Sequence, residues 1–109
     1  MLYSNKLKKK VSVNDFIALV RKYKSEQIED SGHAFDRFSS RQRELVNIEE
    51  VRKILLKDSP FLAGIQENQN YAVFYKHQGK NLRIIFKLET TKIKIVTFYY
   101  ILEWQIPKI

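Results

Sequence analysis

Leu82-Arg83-Ile84-Ile85-Phe86-Lys87-Leu88 and Ile93-Lys94-Ile95-Val96-Thr97-Phe98-Tyr99-Tyr100-Ile101-Leu102 decide the fold. Both runs are rich in β-branched and aromatic residues, which suit a pleated, half-buried surface. In the first, alternation sets Leu82, Ile84, Phe86 and Leu88 on one face and Arg83, Ile85 and Lys87 on the other. In the second, the same rule groups Ile93, Ile95, Thr97, Tyr99 and Ile101 against Lys94, Val96, Phe98 and Tyr100. Both groups hold apolar residues, so this strand is expected to be central or covered on both sides. Tyr71 to Lys76 forms a third run. His77-Gln78-Gly79-Lys80-Asn81 and Glu89-Thr90-Thr91-Lys92 are short enough to be hairpin connections, so the three runs make an antiparallel meander.

Upstream the period changes. Val13, Phe16, Ile17, Leu19, Val20 and Tyr23 recur at helical spacing behind Ser12, an N-cap with Asp15 three residues on. The spacing predicts a helix over 13–24. Residues 25–32 are polar and read as a loop. Asp30 or Ser31 can cap a second helix near His33, with His33, Arg37 and Arg41 one turn apart on its polar stripe. Asn47 with Glu50 starts a third helix through Ile48, Val51, Ile54 and Leu55, which Asp58-Ser59-Pro60 ends. Residues 61–69 read as a connector, and 1–11 as a basic arm or edge strand carrying Lys8, Lys9 and Lys10. The expectation is one α+β domain over 1–109, with N-terminal helices packed on a C-terminal antiparallel sheet of three to four strands. Residues 103–109 form a tail in which Trp104 and Ile106 either pack back or meet a partner, including a second copy of the chain.

Composition narrows the function. With no cysteine, disulfides, thiolate zinc sites and a thiol nucleophile are excluded. The two histidines, forty-four residues apart, and the absence of clustered carboxylates give no metal site. No glycine-rich phosphate loop is present, so no nucleotide cofactor is expected. No apolar run is long enough for a membrane helix and no signal-peptide core opens the chain, so the expected location is the cytoplasm. The net charge is +8, distributed as +6 over 1–24, −3 over 25–69 and +5 over 70–109. Basic ends around an acidic middle suit a polyanion, with Arg41, Arg83, Lys87, Lys94 and Lys8 to Lys10 as candidate nucleic-acid contacts.

RNA cleavage without metal needs few groups, because the ribose 2′-hydroxyl is the nucleophile. The protein supplies a base, an acid and cations for the phosphorane. His33 at a helix N-terminus is a candidate base, since the dipole disfavours imidazolium. Arg37 can fork onto phosphate, and Thr97 or Tyr99 can add a hydroxyl. His77, beside a hairpin turn, is expected to be exposed.

Ser31-Gly32-His33-Ala34-Phe35-Asp36-Arg37, Arg41 to Arg43 and Ile48-Glu49-Glu50-Val51 resemble the H-A-x-x-R…R…I-x-x-E-E-V segment of the DUF4258 family. Leu82-Arg83-Ile84-Ile85 and Ile95-Val96-Thr97-Phe98-Tyr99 resemble its closing strands. The resemblance spans residues 28–101. It implies a RelE/ParE-like or barnase-like fold, metal-independent RNA cleavage or toxin–antitoxin association, and an acidic antitoxin as partner. Carried over by position, it points to His33, Arg37 and Thr97, and to Tyr99.

Overall fold

The computed structural model describes residues 7–30 and 47–107. Its centre is a six-stranded sheet in the order β1-β3-β4-β5-β6-β2. The strands are β1 (Lys9–Val11), β2 (Ile28–Asp30), β3 (Leu62–Ile65), β4 (Tyr71–His77), β5 (Lys80–Leu88) and β6 (Ile93–Ile101). All neighbours are antiparallel except β2 and β6, so the sheet is mixed. Two short α-helices, α1 (Val13–Val20) and α2 (Ile48–Lys57), are the α-helices among the described residues. The expected architecture, helices on a three- to four-stranded antiparallel sheet, is therefore overturned. The protein is mostly sheet.

The meander itself follows the reading. Gln78 and Gly79 form a two-residue turn with φ of 52° and 77°. Left-handed geometry at both positions matches the twist of the strands that flank such a turn. Three short strands widen the meander at its edges. The N-terminal arm supplies β1, the segment read as a connector supplies β3, and the segment read as an acidic loop supplies β2. Gly64 is required where β1 meets β3, because a Cβ there would stand 2.8 Å from the Lys9 carbonyl oxygen. At the other edge, the Tyr23 hydroxyl donates to the Glu89 carbonyl at 2.9 Å, and Gln27 Nε2 donates to the Thr91 carbonyl at 2.7 Å. These bonds tie the approach to β2 onto the β5–β6 loop.

Helix α1 ends at Val20, four residues before its expected end. The following residues close 3₁₀-type bonds, Lys22 to Leu19 and Tyr23 to Val20, and the chain turns toward β2. Helix α2 matches its expected start and stop. Asn47 accepts a hydrogen bond from the Glu50 amide at 2.9 Å, and Asp58 caps the far end.

Both helices pack on one sheet face. Phe16, Val20, Val51, Ile54 and Leu55 meet Val73, Tyr75, Leu82, Ile84, Phe86, Ile93, Ile95 and Phe98 in the main core. Burial of these side chains, each worth about 1.5–3 kcal/mol, is the principal favourable term. The second face holds a smaller cluster of Leu62, Ala72, Phe74, Ile85 and Ile101.

Strand β6 does not keep one alternation. Ile85 pairs with Thr97 while its neighbour Phe86 pairs with Ile95, which leaves Val96 as an extra residue. This β-bulge switches the faces. Ile93 and Ile95 lie in the main core, and so does Phe98, whereas Thr97, Tyr99 and Ile101 share the second face with Arg83 and Ile85. The expected grouping of Ile93 and Ile95 with Thr97 and Tyr99 is corrected accordingly.

Candidate acid–base site

Of the residues singled out in the sequence, His33, Arg37 and Arg41 lie outside the described residues. Arg83, Thr97 and Tyr99 come together on the second face, where Arg83 and Thr97 are buried and Tyr99 is half-buried. Arg83 has 0% of its surface exposed. Its guanidinium carbon stands 5.4 Å from the Phe74 ring centroid and 5.8 Å from that of Tyr99, its cross-strand neighbours on either side. Burial pushes the guanidinium below its ordinary value, and the hydrogen-bonded Tyr99 side chain opposes this. Thr97 is buried, and its hydroxyl has no hydrogen-bond partner among the described residues. An arginine enclosed by two rings is a packed cation–π element and not an open phosphate contact. The assignment of Arg83 to a nucleic-acid surface is corrected on that ground.

The lysines fare differently. Lys8, Lys9 and Lys10 are exposed at the β1 edge. Lys87 and Lys94 are directly opposed across β5 and β6. That like-charge pair is unfavourable without a nearby anion, and Glu29 is the cross-strand neighbour of Lys94 on the other side. Lys87 is seven residues along β5 from Lys80, about 23 Å at the usual strand rise.

Lys80 stands at the end of the sheet where a second cluster assembles. His77, expected to be exposed, is buried at 8% exposure. Its Nε2 lies 3.2 Å from Glu50 Oε2, and its Nδ1 lies 2.8 Å from the Tyr100 hydroxyl. Three elements build this array. The hairpin register sets His77 opposite Lys80, both on the helix-covered face. The switched alternation of β6 turns Tyr100 onto that face opposite Leu82. The Asn47 cap starts α2 so that Glu50, in its first turn, reaches the imidazole. The three residues are far apart in sequence, so spacing alone does not reveal them. The available signal is the two-residue turn beside His77 combined with a corrected face for Tyr100.

An ionised carboxylate can only accept, so in the neutral form of the ring it places the proton on Nε2 of His77. Nδ1 is then the acceptor for the Tyr100 phenol. Burial, with the negative charge of Glu50 adding to it, raises the Tyr100 phenol above its ordinary value. Tyr100 is therefore held as a neutral hydroxyl. Its ring lies under the Lys80 ammonium, 5.2 Å from nitrogen to centroid. Tyr100 and Lys80 also line an open groove of about 490 Å³, together with Asn81, Leu102 and Glu103. The groove wall is fastened by Glu103, which accepts from Asn81 Nδ2 at 3.2 Å and pairs with Lys76 at 3.5 Å. The Asn81 hydrogen bond and the Lys76 charge hold the Glu103 carboxyl below its usual range.

Among the described residues no group of three or more His, Asp or Glu could hold a metal ion, and no helix is long and apolar enough to cross a membrane. A family model, that of the MJ0788 family, matches residues 14–89. The chain belongs to the MJ0788 family. Its matched region runs from α1 to the end of β5 and contains Glu50, His77 and Lys80, while Tyr100 lies beyond it. The MJ0788 match is to a different family from DUF4258, which the short motifs resemble. No curated protein and no solved structure matches the chain.

Proposed function

We propose that this MJ0788-family protein cleaves RNA without a metal ion, using Glu50, His77 and Tyr100 as a proton relay and Lys80 as a phosphate contact. The observation that carries this reading is His77 itself. One ring nitrogen meets a carboxylate, and the other meets the hydroxyl of a tyrosine that lines a groove beside a lysine. In the relay, the 2′-hydroxyl of a bound ribose gives its proton to the Tyr100 oxygen as Tyr100 passes its own to His77 Nδ1. The 2′-oxygen bonds to phosphorus. Glu50 stabilises the imidazolium, and Lys80 offsets the phosphorane charge. The proton then returns through Tyr100 to the departing 5′-oxygen as the P–O5′ bond breaks. The products are a 2′,3′-cyclic phosphate and a free 5′-hydroxyl. A phenol kept neutral by its surroundings suits a shuttle that never carries a full charge.

Exposed Lys76 and Lys80 at this end, and Lys87 and Lys94 farther along the sheet, supply the cations that an extended polyanion requires. In the toxin setting that the DUF4258 resemblance implies, an acidic inhibitor would cover this same groove. The reading is tested by incubating end-labelled RNA and the matching DNA with the protein in EDTA. RNA is cut to cyclic-phosphate ends, DNA stays intact, and His77→Asn lowers the rate at least about 100-fold. Equal rates for wild type and His77→Asn would remove the relay, and intact RNA throughout would remove the activity.

A further inference from the structure

Beyond the groove, the chain enters a 3₁₀ turn, Glu103–Gln105, that carries the protein's single tryptophan. The turn is fixed at both ends. The Leu102 amide donates to Gln105 Oε1 at 2.8 Å, and Glu103 is held to Asn81 and Lys76. Yet Trp104 is 76% exposed, and Leu102, which lines the groove, is 61% exposed. A large apolar ring on a fastened turn, directly following the residues that form the groove wall, presents a rigid flat surface to solvent. Its charged surroundings select what that surface meets. Lys80 lines the groove, and the nearby carboxylate of Glu103 is already engaged by Lys76 and Asn81. A flat ring next to a groove lined by the Lys80 ammonium fits a base with its phosphate. It fits a second copy of the same basic chain less well, since like charges would meet.

We infer that Trp104 is a stacking platform for an unpaired base of the nucleic acid bound in the groove. This rests on the RNA reading of the groove and adds the residue that makes it select single strands. In a duplex both faces of each internal base are already stacked, so the platform has nothing to take.

Because the chain has one tryptophan, its fluorescence reports this contact directly. The experiment titrates full-length protein with a single-stranded DNA octamer, which lacks the 2′-hydroxyl and so is not a substrate, and with the same sequence as a duplex. The single strand quenches Trp104 saturably, and the duplex does so much less. Trp104→Ala weakens single-strand affinity about tenfold, measured by anisotropy of a labelled octamer, and Trp104→Phe restores most of it. Unchanged fluorescence, or equal affinity of Trp104→Ala and wild type, overturns the inference. So does a sedimenting mass that halves in Trp104→Ala with no response to the octamer, which would make the turn a self-association surface. If quenching and the loss in Trp104→Ala are both observed but wild type cuts no RNA, the stacking platform stands and the cleavage reading falls. If RNA is cut and Trp104→Ala binds and cuts as wild type does, only the platform falls.

Discussion

Tyr99 and Tyr100 are consecutive residues of one strand, and they belong to two different chemical environments. Tyr99 turns to the second face and closes a sandwich around Arg83, beside Thr97 and the apolar cluster of Ala72, Phe74 and Ile85. Tyr100 turns to the helix-covered face, where its hydroxyl meets His77 and its ring borders an open groove. Both sites combine a tyrosine with a nitrogen base. Both tyrosines are half-buried, and Tyr100 lines a groove among the described residues. A cation and a hydroxyl on neighbouring strands are therefore not enough to define a reactive site; the side chain must also meet a space that a substrate can enter.

That contrast yields graded expectations. Arg83→Ala removes a fully buried side chain and leaves a cavity between two rings, so stability falls by about 3 kcal/mol, seen as a lowered urea midpoint. The cleavage rate of the molecules that remain folded should stay within twofold of wild type. A specific rate loss with stability intact would return Arg83 to the reactive groups. Thr97→Val acts in the opposite direction. It replaces a buried hydroxyl that has no partner among the described residues by a methyl group, and stabilises by about 1 kcal/mol. Destabilisation accompanied by lost cleavage would show that the hydroxyl has a role on the second face.

A smaller effect separates the tyrosines by pH. Burial raises the phenols of Tyr75 and Tyr100 above their ordinary value, with negative charge from Asp58 and Glu50 adding to each. A folded-state value above the unfolded one means that the stability these groups contribute is complete below the ordinary phenol range. It is lost as pH rises through that range toward the folded values. Alkaline titration should therefore show part of the phenolate absorbance appearing only together with unfolding. Complete ionisation in a still-folded protein would contradict the burial of Tyr75.

The sheet's centre is legible in the sequence because β4, β5 and β6 are long enough for period two to show. The Gln78-Gly79 turn confirms their connection. The edges are not legible. Ile28-Glu29-Asp30 is a three-residue segment with a single apolar residue, too short to show period two, and it becomes strand β2 by pairing with β6. Leu62-Ala63-Gly64-Ile65 shows no alternation because both of its faces are largely buried. Val96 is the costliest blind spot: a single bulged residue moves Thr97 and Tyr99 away from Ile95 and brings Tyr100 to His77. The Asn47 cap was readable, but nothing in its spacing indicated that Glu50 would meet a histidine twenty-seven residues on. His33, Arg37 and Arg41 lie outside the described residues, so a catalytic role for them is a separate proposal.

The two tyrosines also provide the most direct test of the account. Tyr99→Phe and Tyr100→Phe each remove one oxygen from adjacent positions and keep the ring. With labelled single-stranded RNA in EDTA, Tyr100→Phe should cleave at least about 100-fold more slowly than wild type, while Tyr99→Phe keeps the wild-type rate. Equal rates for the two variants, or loss confined to Tyr99→Phe, would contradict the relay through Glu50, His77 and Tyr100.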